Sequence, residues 1–211
     1  METLVSRPTW AEALLAAIEA GRVKRGDLTA WHARQIRSFN RDDLSKKLVA
    51  VWGEVRDTSA EKQQLLQTQR NSLTSDTLGK ANLESGRAIF QKNCANCHTL
   101  FGQGGAIGPD LTGSNRKNLE YLLENVIDPS ASVAADFRIS LLQLADGRVV
   151  NGIIGTTTER TITVQTATEK MVLPRQEVEL VTPSKLSLMP DNLLSNLTPD
   201  QVRDLIGYLM R

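Results

Sequence analysis

The chain has 211 residues, of which 40% are hydrophobic and 23% are charged. This composition is typical of a globular domain and argues against a disordered chain. The 25 Lys and Arg residues nearly balance the 24 Asp and Glu residues, so the net charge of +1 lacks the basic excess of most nucleic-acid-binding proteins. No apolar run is long enough for a transmembrane helix. Glu12 and Glu19 interrupt the N-terminal stretch, which would be continuously apolar in a signal peptide.

Residues 1–80 are predicted to form a helical region. A capping-box pattern begins at Thr9, and Asp27 is a candidate cap for a second helix. Apolar spacing predicts two more helices, at residues 44–52 and 59–73. Short paired helices are typical of helical-repeat arrays, which usually contain at least three repeats. We therefore expect this region to be the end of a longer array.

Residues 81–211 are predicted to form a second domain, because the stretch at 74–82 is polar and lacks periodicity. Two helices are expected, at Leu83–Asn93 and Leu119–Ile127. The glycine-rich segment between them, residues 101–113, is predicted to be a structured loop.

From residue 137 the apolar period changes from helical spacing to two, and Asp146-Gly147 is a hairpin-turn signal. This pattern predicts a small antiparallel β meander or barrel inserted at residues 137–181. Thr198 followed by Pro199 then predicts the start of a C-terminal helix. The expected fold class is mainly α, with a β insertion.

The chain has two cysteines, Cys94 and Cys97, and His98 follows them directly. C-x-x-C-H is the pattern of c-type haem attachment. Two intervening residues form a turn that aims both thiols at two vinyl groups of one rigid macrocycle, and the next residue can supply the proximal imidazole. The pattern predicts one covalent haem c on Cys94 and Cys97, with His98 as an axial ligand of the iron.

Three other interpretations of the cysteine pair stay open. A structural zinc site needs four ligands, and beyond these three residues the chain offers only the distant His32. A thioredoxin-type redox pair is expected in a βαβ context, whereas the flanks here predict a helix and a glycine-rich loop. The cysteines could also be inert thiols.

A wider pattern surrounds the cysteine turn. Its members are Gly86, Phe90, Cys94, Cys97, His98, Gly108, Pro109, Asp110, Leu111, Met189, Pro190, Leu205, Tyr208 and Leu209. With this pattern, residues 83–113 and 184–211 resemble the two ends of a small monohaem cytochrome c. The resemblance implies that the helix carrying Gly86 and Phe90 crosses the C-terminal helix. It also implies that the Pro109 carbonyl receives the ring N–H of His98 and orients the imidazole.

Five further motifs, at residues 104–113, 122–125, 128–130, 146–148 and 187–190, make the likeness narrower. The chain resembles the haem-binding domains that end large exported proteins of planctomycete-type bacteria. In that family the haem domain follows helical repeats and often a propeller that resembles sugar dehydrogenases. The resemblance implies a periplasmic or otherwise exported location, and a chain that is a fragment of a larger protein.

The sixth iron ligand is predicted to be a methionine, because a thioether suits low-spin haem iron. Met1 is terminal, Met171 alternates with strand residues, and Met210 lies beside the apolar face of the last helix. Met189 precedes Pro190 in the loop before that helix, where a proline can hold a weak ligand rigidly. Met189 is therefore the predicted ligand, with gap-filling in the core as the alternative.

With both axial positions filled, electron transfer is favoured over catalysis, and we recognise no nucleophile triad or phosphate-binding loop in the sequence. We expect an electron carrier rather than an enzyme, with a redox protein or dehydrogenase domain as partner. One alternative is a haem-based gas or redox sensor in which Met189 is displaced. Another is a docking module in which the haem mainly stabilises the fold.

Overall fold

The computed structural model describes the whole chain, Met1–Arg211. The helices are α1 (Pro8–Glu19), α2 (Ala30–Arg37), α3 (Asp42–Val51), α4 (Ala60–Ser72), α5 (Ser75–Leu78), α6 (Leu83–Asn93), α7 (Leu119–Ile127) and α8 (Pro199–Leu209). The strands are β1 (Gly53–Val55), β2 (Thr99–Leu100), β3 (Gln103–Gly104), β4 (Ser132–Ala134), β5 (Arg138–Leu144), β6 (Val149–Thr157), β7 (Thr161–Gln165), β8 (Lys170–Pro174) and β9 (Val178–Ser187). Helices, including four short 3-10 helices, hold 43% of the residues and strands hold 22%. The fold therefore combines helices with a substantial sheet, and the predicted mainly α class holds only in part.

The chain divides into two compact units, each built from two separate stretches of sequence. The first contains Met1–Arg56 and Ser132–Leu188, and the second contains Asp57–Ala131 and Met189–Arg211. This division differs from the predicted one at residue 80. The reason is that β1 pairs antiparallel with β4, which joins the N-terminal helices to the chain after residue 131. Such pairing between short, distant strands leaves little signal in the sequence.

In the first unit, α1, α2 and α3 bury one apolar face each in a common core. Trp52 is almost fully buried there, and its indole N–H donates to the Leu28 carbonyl at 2.6 Å. Two predicted caps are wrong. Helix α1 begins at Pro8, whose fixed φ suits the first helical turn, and Thr9 lies inside the helix. Helix α2 is capped by Thr29 rather than by Asp27.

The same unit contains the predicted antiparallel sheet, with strand order β8-β7-β6-β5-β9. Leu142 faces Val150 on one neighbouring strand and Val181 on the other, and these residues belong to a separate apolar core. The sheet extends beyond the predicted end at residue 181, because β9 continues through Pro183 to Ser187. Proline lacks an N–H for the ladder but is tolerated in β9 because this strand is at the edge of the sheet.

The second unit is helical, and its core is formed mainly by α6, α7 and α8, with residues of α4. Side chains of Asn82, Asn118 and Thr198 cap α6, α7 and α8 respectively, so local sequence fixes where each helix starts. Helix α6 packs directly on α8, and α4 packs on α7. None of the helices has the length and apolar character needed to span a bilayer.

Candidate functional site

The turn Cys94–His98 lies at the end of α6, where Cys94 caps the helix. The backbone N–H groups of Cys97 and His98 both donate to the Cys94 carbonyl, at 3.1 and 2.9 Å. These bonds close one tight turn that carries both thiols and the imidazole. Both cysteines are free thiols. The turn therefore brings two thiols and an imidazole together within five consecutive residues.

The glycine-rich loop that follows wraps around this turn. The N–H of Gly105 donates to the Ala95 carbonyl at 2.7 Å, and that of Gly108 donates to the Cys97 carbonyl at 2.8 Å. A Cβ on Gly108 would lie 2.6 Å from His98 Cε1, closer than van der Waals contact allows. Glycine at position 108 thus lets the backbone pack directly against the imidazole ring.

The His98 ring is oriented by the same loop. Its Nδ1 lies 2.9 Å from the Pro109 carbonyl oxygen, and since a carbonyl can only accept, Nδ1 carries the proton. Nε2 is then the nitrogen whose lone pair can bind a metal. Burial lowers the pKa of His98, and the hydrogen bond to Pro109 only partly opposes this shift. The imidazole is accordingly in its neutral, ligating form at neutral pH.

The pKa of the two thiols distinguishes a redox-active cysteine pair from other functions of the pair. Burial raises the pKa of Cys94 to about 11, with a further contribution from Cys97, and burial also raises the pKa of Cys97. Redox-active C-x-x-C pairs depend on a lowered thiol pKa. The raised values argue against the thioredoxin-type interpretation.

The second histidine of the chain, His32, caps a helix. In the first unit, His32 Nδ1 accepts the backbone N–H of Thr29 at 3.2 Å and completes the capping box of α2. This ring nitrogen is therefore engaged in capping α2.

The crossing of α6 and α8 anchors the helix that leads into the cysteine turn. A Cβ on Gly86 would lie 2.1 Å from the Asp204 carbonyl oxygen, so the two helix backbones approach as closely as glycine permits. One helical turn further along α6, Phe90 packs on Tyr208 with ring centroids 5.8 Å apart. This close crossing fixes the end of α6, from which Cys94 projects.

Arg116 is a buried residue of this region that the sequence did not reveal. Its Nη1 donates to the Leu209 carbonyl at 2.9 Å and also to the Arg211 carbonyl, and its guanidinium lies 4.7 Å from the Phe101 ring centroid. Arg116 thereby joins the loop after the cysteine turn to the C-terminal end of α8. Its Nε also donates to the nearby Thr112 carbonyl at 3.3 Å, but the carbonyls at the end of α8 are more than ninety residues away, so no local pattern identifies this role.

Met189 lies in the second unit together with Cys94, Cys97, His98 and Pro109. It is half-buried at the start of residues 189–198, which we call the methionine loop and which lead into α8. Two of the other methionines pack against apolar cores. Met171 packs on the core of the sheet, and Met210 packs on the core formed by α6, α7 and α8.

The donor set and the shape of this site fit a haem attached through two thioethers. Two free thiols and an imidazole lie within one turn of five residues, and the absence of a side chain at Gly108 lets the loop backbone pack against that imidazole. Three protein atoms are thus available to one macrocycle: Cys94 Sγ and Cys97 Sγ for its vinyl groups, and His98 Nε2 for its iron.

Comparison with known proteins agrees with this chemistry. Residues 83–138 match the model of the cytochrome c family. A protein of Synechocystis sp. described as cytochrome c-553-like is 35% identical over 68 residues, which cover 32% of this chain and 64% of that relative. The chain thus matches less than two thirds of the relative's length. Residues 83–138 are thus similar to a cytochrome c, and this similarity implies covalently bound haem c as the cofactor.

Proposed function

We propose that this chain is an electron-transfer module with one haem c on Cys94 and Cys97 and with His98 and Met189 as the axial ligands. The observation that carries the proposal is the His98 ring, whose Nδ1–H donates to the Pro109 carbonyl and whose Nε2 would be the nitrogen that binds iron. The carbonyl fixes the ring orientation and increases its basicity as a ligand. The bound group would supply one-electron redox chemistry.

The assignment of Met189 rests on its position. It belongs to the same unit as His98, and Pro190 restricts the backbone that follows it. Met171 and Met210 have apolar packing roles that account for their burial. If His98 and Met189 both held the iron, the chain would leave no open position for a substrate or for oxygen. This is the arrangement that favours electron transfer over catalysis.

We further propose that electrons come from a dehydrogenase, on the same polypeptide or on a separate protein. The narrower likeness to planctomycete-type haem-binding domains supports this partner, since those domains often follow a propeller that resembles sugar dehydrogenases. An exported location is part of the same proposal, because cytochrome c domains are typically exported.

The ligation is tested on the haem-loaded protein with Met189→Ala and a matched control, Met171→Ala. We expect the oxidised wild type and the control to show a sulfur-to-iron charge-transfer band, and Met189→Ala to lose it while keeping its covalent haem. His98→Ala should lose low-spin ligation altogether. An unchanged band in Met189→Ala would show that another residue is the sixth ligand.

The rate at which the reduced protein binds carbon monoxide distinguishes an electron-transfer function from a sensor function. A reduced wild type that binds carbon monoxide slowly or not at all supports the electron-transfer proposal, because Met189 then occupies the sixth position. Rapid binding would favour a haem-based sensor with a displaceable methionine.

A further inference from the structure

Three charged side chains meet beside the methionine loop. Lys62 is the third residue of α4, and its Nζ lies 2.8 Å from Asp128 Oδ1 and 3.0 Å from Asp191 Oδ2. Asp128 caps the C-terminal end of α7, and Asp191 is the second residue after Met189. One ammonium group thus connects two helices of the unit to the methionine loop.

The three charged side chains differ in how deeply they are buried. The Asp128 side chain has no exposed surface, that of Lys62 is 21% exposed, and that of Asp191 is 46% exposed. Burial opposes the charge on Lys62, but the hydrogen bonds to both carboxylates outweigh it and raise the pKa of Lys62. The ammonium is therefore held by the buried carboxylate and offers its remaining hydrogens to the loop.

The methionine loop packs into the core through Leu194, which is 7% exposed, and residues around it border a cleft. A cleft of about 130 Å³ separates part of the loop from α4 and α7, and its lining is largely apolar. The lining residues are Leu65, Gln69, Val126, Ile127, Asn192, Leu193, Leu194 and Ser195. Because side chains do not fill this space, the Lys62–Asp191 ion pair is a defined constraint on the chain next to Met189.

We propose that Lys62 is a positioning residue for the sixth iron ligand, holding Asp191 so that Met189 stays near the iron. This inference rests on the proposed function, because it takes Met189 as the ligand. Helix α4 precedes residues 83–138, the segment that matches the cytochrome c family. The constraint is therefore supplied from outside the matched domain, and it links the stability of α4 to the ligation of the haem.

The structure provides a matched control for this proposal. A second ion pair joins α4 to α7, with Arg70 Nε donating to Glu120 Oε2 at 2.8 Å. Both partners of this second pair lie on the two helices and neither belongs to the methionine loop. Asp191→Ala and Glu120→Ala therefore each remove one carboxylate from a cation of α4, but only Asp191→Ala releases the loop.

The experiment measures binding of imidazole to the oxidised, haem-loaded protein, together with the charge-transfer band and the midpoint of thermal unfolding. We expect Asp191→Ala to bind imidazole roughly fivefold more tightly than Glu120→Ala, because loss of a partly exposed ion pair raises the population with Met189 displaced. The two variants should unfold at similar temperatures. Lys62→Arg, which keeps the charge, should stay within about twofold of the wild type in imidazole affinity.

Two results would overturn the inference, and they can be told apart. If the wild type shows the charge-transfer band but Asp191→Ala and Glu120→Ala bind imidazole equally, Lys62 has a structural role only and the assignment of Met189 stands. If the wild type lacks the band, the assignment of Met189 fails, and the role of Lys62 fails with it.

Discussion

Replacement of Gly108 by alanine tests whether the glycine-rich loop sets the position of the His98 ring. The new Cβ would lie 2.6 Å from Cε1 and 2.8 Å from Nδ1 of that ring. Carbon atoms in contact are normally about 3.5–4.0 Å apart, so the ring would have to move by about 1 Å. The φ angle of Gly108 lies outside the left-handed region, so alanine adds no backbone strain and the effect is purely steric.

The loop cannot simply retreat, because the N–H of Gly108 donates to the Cys97 carbonyl at 2.8 Å. Movement of the ring by about 1 Å would instead break its 2.9 Å hydrogen bond to Pro109. Overpacking and the lost hydrogen bond together should lower the free energy of unfolding by about 2–4 kcal/mol. In the haem-loaded protein, the displaced imidazole should convert part of the low-spin population to high-spin.

The assay compares Gly108→Ala with Gly113→Ala in the same loop, using urea unfolding and the absorption spectrum. A Cβ on Gly113 would meet no other atom within 4 Å, so its alanine variant should match the wild type. If Gly108→Ala behaved like Gly113→Ala in both measurements, the close approach of this loop to His98 would not matter for ligation, and the reasoning would be refuted.

Two further predictions concern buried charged groups of the second unit. Burial opposes ionisation of Asp204, but hydrogen bonds, chiefly from the Asn82 backbone N–H, lower its pKa overall. The ionised carboxylate therefore stabilises the fold at pH values above the unfolded-state pKa of about 3.9. This contribution is lost as the pH falls through the lowered pKa of the native state. Unfolding of wild type and Asp204→Asn from pH 7 to pH 2 should show a stability difference that shrinks below about pH 4, and a constant difference would contradict this. Arg116→Gln should cost about 2 kcal/mol in urea unfolding, because the buried Leu209 carbonyl loses a charged donor. The exposed Arg87→Gln is the control, and equal losses in both variants would contradict the role of Arg116.

The parts of the fold that local sequence determines could be predicted. The bounds of α6 and α7 were predicted correctly, because polar caps and apolar spacing mark both helices. The hairpin at Asp146-Gly147 was also predictable: Gly147 takes a φ of +85°, which glycine adopts without strain. The turn at Cys94–His98 was predictable from the spacing of its residues, while the attachment of haem to Cys94 and Cys97 stays a prediction.

Features that depend on distant residues could not be predicted. The pairing of β1 with β4 joins residues about eighty positions apart through two strands of three residues each, which is too short for a periodic signal. The charged residues Lys62 and Arg116 look like ordinary surface residues in the sequence. Their roles depend on Asp191 and on the end of α8, which only the tertiary structure brings close.

The most direct test of the central claim is the intact mass of the chain after coexpression with a cytochrome c maturation system. The account predicts a mass increased by one haem, held through Cys94 and Cys97 and retained after denaturation. Replacement of both cysteines by alanine should abolish the increase. A wild-type mass equal to that of the bare chain under these conditions would contradict covalent attachment, and with it the electron-transfer function proposed for this protein.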